Sequence, residues 1–187
     1  MAAPSRPAWP DPAPRPRPRA GTDLHRAAPP ESNAMTHLSV TDRAPDFELV
    51  DGAGQKQRLS DYRGQVVVLA FYPLDFSGVC SEEHACFVDQ LAQFEQLDAQ
   101  ILGISVDSHR CHGAFAKQLG ITYPLLADFH PKGEVGRRYG VYLDDYGYHG
   151  RANFVVDPEG RISFIQEMVP SDLPDFDALI EAVGEST

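Results

Sequence analysis

In the stretch PLDFSGVC, Pro73 to Cys80, one thiol and its neighbours have the types and spacing for nucleophilic sulfur chemistry. Cys80 follows the apolar run VVVLAFY, and the residues beyond it read as a helix, so the thiol stands where a strand turns into a helix. The first N–H groups of a helix have no partner within it and carry a partial positive charge. A thiolate is stabilised there, and cysteines so placed titrate below the free value of about 8.5. Gly78 permits close backbone approach, and Pro73 stiffens the loop and can screen the sulfur from water. Ser77, three residues before the thiol, can donate its hydroxyl to the sulfur or accept a backbone N–H. Taken singly each has a plainer reading: Pro73 stops a strand and Ser77 caps a helix.

The chain holds three cysteines, too few and too odd in number for a disulfide framework. Cys86 lies on the same predicted helix as Cys80, near its apolar face, where an inert buried thiol is the default. Six residues along an intact helix give about 9 Å of rise and roughly 240° of rotation, so a Cys80–Cys86 bridge requires unwinding. Cys111, in DSHRCHGAF, falls in the first turn of the following helix. In a parallel β-α-β arrangement both helix starts open on one sheet edge, so Cys80 and Cys111 emerge on the same side and both are open to activation. A metal cluster of Cys80, His84, Cys86, Cys111 and His112 is the competing reading, but no CxxC or HxxxH supports it, and no metal is expected. His84, His109 and His112 then read as solvated or supporting residues. A CxxC disulfide exchanger does not fit either, because Ser-Glu-Glu follows Cys80.

The elements that must hold these residues alternate. FELV, a turn at Asp51 to Gly54, and KQRLS predict an N-terminal β-hairpin. VVVLAFY is a continuous apolar strand, as expected where helices cover both faces of a sheet. Helical spacing from about Cys80 to Gln96, the strand ILGISV, and a helix capped by Asp107 or Ser108 and stopped by Gly120 follow. YPLLAD predicts a further strand edge, and PKGEVGRRYG a short helix opened by Pro131. YGVY, RANFVVD, a turn at Pro158 to Gly160 and RISFIQE read as strand, turn and strand, and a last helix spans about Leu173 to Val183. The expected class is α/β, a central mixed sheet flanked by helices.

Residues 1–34 are crowded with Pro, Ala and Arg and nearly lack Val, Ile and Phe, so they are expected to be a disordered extension preceding one domain at 35–187. They have no continuous apolar stretch of the kind a secretory signal needs. The formal charge of −11 argues against nucleic-acid binding, which clustered Lys and Arg drive. No membrane span is expected, and neither GxGxxG nor GxxxxGK[ST] occurs to support nucleotide binding. The acidic balance fits a cytoplasmic protein.

Together the fragments resemble a known set. Pro73-x-x-x-Ser77-x-x-Cys80 resembles the PxxxTxxC signature of peroxiredoxins, with Ser where Thr is commoner. APDFELVD, FYPLDFSGVC, LGISVDS, YPLLAD, YGVY and RANFVVDPEG extend the resemblance across Met35 to Thr187. It is nearest the bacterioferritin-comigratory and alkyl hydroperoxide reductase E-like branches. The resemblance implies a thioredoxin-like fold and thiol-dependent reduction of hydrogen peroxide and organic hydroperoxides through a Cys80 sulfenic acid. It also implies a distal arginine at Arg151 that orients the peroxide, and an acidic residue at Glu83 that orients the arginine. Read alone, Arg151 is an ordinary surface arginine after DDYGYHG, and Glu83 a carboxylate near a helix N-terminus.

A sulfenic acid must then be reduced by a second thiol. The sheet-edge geometry favours Cys111, and other branches of the family carry a resolving cysteine in this helix. Family members that resolve within the first helix usually space the two thiols by five residues, not six. Cys86 or an external thiol remain the alternatives. Thioredoxin or a similar dithiol is the implied reductant, no cofactor is implied, and a homodimer is common in the family. A redox sensor that oxidises once and waits is the non-enzymatic alternative.

Overall fold

The computed structural model describes residues 38–169 and 171–187, so the expected disorder of 1–34 lies outside the described residues. The strand VVVLAF organises the rest. This strand, β3 (Val66–Phe71), is buried along its whole length because its side chains alternate between two cores. Val66, Val68 and Ala70 meet one cluster, built with Phe87, Phe94, Phe115, Leu179 and Val183. Val67, Leu69 and Phe71 meet the other, with Leu59, Val135, Tyr139 and Phe154.

β3 sits inside a seven-stranded sheet of order β2-β1-β5-β4-β3-β8-β9. The hairpin is β1 (Glu48–Asp51) and β2 (Lys56–Arg58), with β1 antiparallel to β5 (Leu125–Ala127). β4 (Ala99–Ser105) runs parallel to β3 and to β5. β8 (Arg151–Val156) is antiparallel to β3 and to β9 (Ile162–Met168). The sheet is therefore mixed and covered by helices, as the apolar run required.

The crossovers are α1 (Gly78–Gln96), between β3 and β4, and α2 (His109–Leu119), between β4 and β5. Ser108 caps α2 by accepting from the Cys111 N–H at 3.3 Å, and Gly120 ends it at φ 71°, a left-handed conformation suited to glycine. The short α3 (Glu134–Arg138) begins three residues later than Pro131. Gly133 starts it at φ 70°, and a Cβ there would strike the Tyr142 ring. YGVY contributes not to the main sheet but to a separate two-stranded ribbon, β6 (Tyr142–Leu143) with β7 (Tyr148–His149). The last helix, α4 (Phe176–Glu185), starts later than its apolar spacing indicated, because Asp175 accepts from the Ala178 N–H and sets the cap. Among the described residues no helix is long and apolar enough to cross a membrane.

Candidate active site

Register brings the site together. Phe71 at the end of β3 pairs with Ala152, so Arg151 at the start of β8 lies beside the strand end from which the loop runs into α1. Cys80 is the third residue of α1, and Glu83 follows one turn later. Arg151 Nη2 donates to Cys80 Sγ at 3.3 Å, and Nη1 donates to Glu83 Oε2. All three are almost wholly buried, with 1% exposure for Cys80, 2% for Arg151 and none for Glu83. Arg151 is thus not a surface arginine. It is a buried cation between a sulfur and a carboxylate, an arrangement that its planar donor fork can span and a lysine cannot. Glu83 fixes the fork, and the helix start adds its own partial positive charge at the sulfur.

Above the sulfur is an open pocket of about 250 Å³, walled by Pro73, Leu74, Ser77, Val79 and Tyr148. Ser77 differs from expectation. Its hydroxyl neither meets the sulfur nor caps the helix, but donates to the Leu74 carbonyl at 3.1 Å. The cause is the sharp loop, in which Phe76 takes φ 60°, costly for a residue with a Cβ. The serine ties off that turn and lines the pocket. Phe76 is held in place by its ring against Phe115, centroids 5.0 Å apart.

The other two cysteines differ from each other. Cys86 packs against the core, half-buried, as its place on the apolar face predicted. Cys111, like Cys80, is the third residue of its helix, yet it is not activated. Its thiol is pushed up to about 12, first by burial and then by the carboxylates of Asp75 and Asp107. The thiol and these two carboxylates lie within 4.8 Å of one another.

The histidines are not solvated as a group. His84 is fully buried, with Nδ1 2.7 Å from the Tyr123 hydroxyl, and His112 is fully buried, with Nδ1 2.9 Å from Asp75 Oδ2. The residues of the alternative metal cluster go to separate partners: Cys80 to Arg151, His84 to Tyr123 and His112 to Asp75. Burial lowers His84 to about 3. With the folded value below the unfolded one of about 6.5, protons bind the unfolded chain preferentially as pH falls between the two. Stability is therefore complete above about pH 6.5 and falls by up to roughly 1.4 kcal/mol per pH unit toward pH 3 through this group. Urea unfolding at pH 7, 6 and 5 checks this: His84→Gln has a flatter acid limb than the wild type.

Sequence reasoning missed the cluster around Asp75. Tyr72 O–H donates to Asp75 Oδ1 at 2.7 Å, and the Asp75 N–H donates to Asp107 Oδ2 at 2.8 Å. Asp75 lies five residues before Cys80 but finds partners on the β4–α2 loop and on α2, 32 and 37 residues on. No periodicity signals such a contact. Tyr148 was missed too, since DDYGYHG reads only as a loop leading to Arg151.

This sequence and fold have counterparts. The AhpC/TSA family matches residues 40–165. Alkyl hydroperoxide reductase E of Mycobacterium tuberculosis (strain ATCC 25618 / H37Rv) is 42% identical over 139 residues, 74% of this chain and 91% of that protein. The mitochondrial thioredoxin-dependent peroxide reductase of Drosophila melanogaster is 37% identical over 161 residues, 81% of this chain and 64% of that protein. Among solved structures, peroxidoxin BcpB from Mycobacterium tuberculosis superposes with a TM-score of 0.73 at 29% identity, covering 81% of this chain and 99% of that one. Mycobacterium tuberculosis AhpC gives 0.71 at 29% identity, with 79% and 92% covered. The fold is accordingly thioredoxin-like, and the chain belongs to the AhpC/TSA family of peroxiredoxins, thiol-dependent peroxidases.

Proposed function

We propose that Cys80 is the peroxide-reducing thiol, working in the pocket formed by Pro73, Ser77 and Arg151, within a catalytic domain at 35–187. The observation that carries this reading is the buried Arg151 fork between Cys80 and Glu83. The Cys80 thiolate attacks the terminal peroxide oxygen, the S–O bond forms, and the O–O bond breaks. The departing hydroxide or alkoxide takes a proton and leaves as water or alcohol, and Cys80 becomes a sulfenic acid. Arg151 steadies charge on the oxygens as the bond lengthens, while the Ser77 oxygen accepts from the peroxide O–H.

Resolution falls to Cys111, whose sulfur attacks that of Cys80 to give a disulfide and water. A thioredoxin-type dithiol then returns both thiols. The substrates are hydrogen peroxide and organic hydroperoxides, and the setting is cytoplasmic. Leu74 and Phe76 expose apolar surface beside the pocket, which a second copy of the chain would cover in a homodimer. One observation favours a second reading, resolution by an external thiol: the Cys111 thiol resists ionisation.

The test is one equivalent of peroxide, rapid alkylation and peptide mapping. The expected product is a Cys80–Cys111 bond, and Cys111→Ser should consume one peroxide per chain without cycling on thioredoxin, thioredoxin reductase and NADPH. A Cys80–Cys86 bond, or full cycling of Cys111→Ser, overturns the assignment of Cys111.

A further inference from the structure

The half-buried acid cluster at the head of α2 has no part in peroxide cleavage, yet it holds the Cys111 thiol and includes Asp75, five residues before Cys80. Asp75 sits in the loop that carries Cys80, and its carboxylate faces α2. Its two oxygens accept from Tyr72 O–H and His112 Nδ1–H, at 2.7 and 2.9 Å. The Asp75 N–H and the Ser105 hydroxyl both donate to Asp107 Oδ2, each at 2.8 Å. The third member of the group, the Cys111 thiol, lies within 4.8 Å of a carboxylate oxygen of each and hydrogen-bonds to both Asp75 and Asp107. Asp75 and Asp107 are the charged groups that face this thiol, with Tyr72 and His112 standing behind Asp75.

We propose that Asp107, positioned by Asp75, is the proton acceptor for Cys111 in the disulfide-forming step, and that the same pair keeps Cys111 a neutral thiol until Cys80 is oxidised. The second half of this statement stands alone, and the first rests on Cys111 being the resolving thiol. In the step, the Cys111 S–H proton passes to the Asp107 carboxylate as the Cys111 sulfur attacks the Cys80 sulfur. The S–S bond forms, the Cys80 S–O bond breaks, and the departing hydroxide takes the proton to leave as water. Cys111 is oxidised and the Cys80 sulfur is reduced from the sulfenic level. The arrangement divides labour by charge. A cation holds the thiol that must meet peroxide, and two anions hold the thiol that must not meet it first, because the thiolate is the form that peroxide attacks.

Two experiments on the full-length chain separate this inference from the assignment of Cys111. In a Cys80→Ser/Cys86→Ser background Cys111 is the sole thiol, and its iodoacetamide alkylation rate is followed from pH 7 to 10. The expected rate at pH 8 is at least about tenfold below that of a free thiol, and Asp107→Asn raises it about tenfold. This readout does not depend on which thiol resolves Cys80. Asp75→Asn, which keeps an acceptor for Tyr72, should raise it similarly and serves if Asp107→Asn does not fold. An alkylation rate unchanged within twofold in both variants overturns the guarding role.

The second experiment follows disulfide formation after one equivalent of peroxide in Cys86→Ser. The wild-type rate should be nearly flat between pH 6 and 8, because with an acceptor beside the thiol no free thiolate has to form beforehand. In Asp107→Asn it should be at least tenfold slower at pH 7 and should climb with pH, because the thiolate must form beforehand. A faster rate in Asp107→Asn, or an unchanged pH profile, overturns the proton-acceptor role. If Cys80 and Cys111 never pair, the assignment of Cys111 fails together with that role, while the alkylation result still decides the guarding role.

Discussion

Cys80→Ser reduces peroxide turnover to the uncatalysed background while the protein stays folded. The serine hydroxyl is nearly isosteric with the thiol and can accept from Arg151 Nη2, which donates to the sulfur at 3.3 Å in the wild type, so the buried guanidinium keeps its hydrogen bond. Stability should shift by no more than about 1 kcal/mol, the usual net value of a single hydrogen bond. Chemistry is lost altogether, because a hydroxyl stays protonated at neutral pH and its oxygen has no counterpart of the sulfenic acid. Peroxide consumption coupled to NADPH through thioredoxin and its reductase measures the first effect, and urea unfolding the second. Turnover retained in Cys80→Ser would remove Cys80 from the mechanism.

Arg151→Met should lose activity and stability for different reasons. Methionine fills much of the space without the charge. The peroxide reaction loses the donors that face the breaking O–O bond, a loss of about 10²–10³ in rate by analogy with oxyanion-stabilising donors. The fold loses the only charge that faces the Glu83 carboxylate among the ion pairs of the described residues, and Glu83 is fully buried. Breaking a buried pair on one side costs about 3–5 kcal/mol. The double variant Arg151→Met/Glu83→Gln separates the two terms. It should recover most of the stability, since no buried charge then stands alone, and none of the rate. Recovery of rate in the double variant would mean that Arg151 acts only by holding the fold. Stopped-flow peroxide kinetics and denaturant unfolding on the wild type and the two variants decide between these outcomes.

Much of this arrangement was legible in the chain. The unbroken apolar run from Val66 announced a strand covered on both faces, and the structure divides its residues alternately between two cores. Cys80 at the head of a helix was legible because the strand and helix are contiguous and the helix-end field is local. Arg151 was legible only through the family resemblance, since its burial depends on β8 lying antiparallel to β3, 80 residues away in sequence. The Ser77 hydroxyl was misplaced because the left-handed turn at Phe76 cannot be read from residue types that usually avoid it. The sequence left His84 and His112 open between solvated and supporting residues, because their partners, Tyr123 and Asp75, are 39 and 37 residues distant.

The contrast between the two helix-start thiols marks the boundary. By itself the sequence determined that Cys80 and Cys111 each open a helix, and in the structure each is the third residue of its own. Local structure therefore treats them alike, with about half a positive charge at each helix end. Tertiary structure made them opposites. β8 delivers a guanidinium to Cys80, while the Cys80 loop and the end of β4 deliver two carboxylates to Cys111. Full charges a few ångströms away outweigh the half charge of a helix end. The helix start is encoded in adjacent residues, but which charge stands opposite it is decided by the strand order of the sheet.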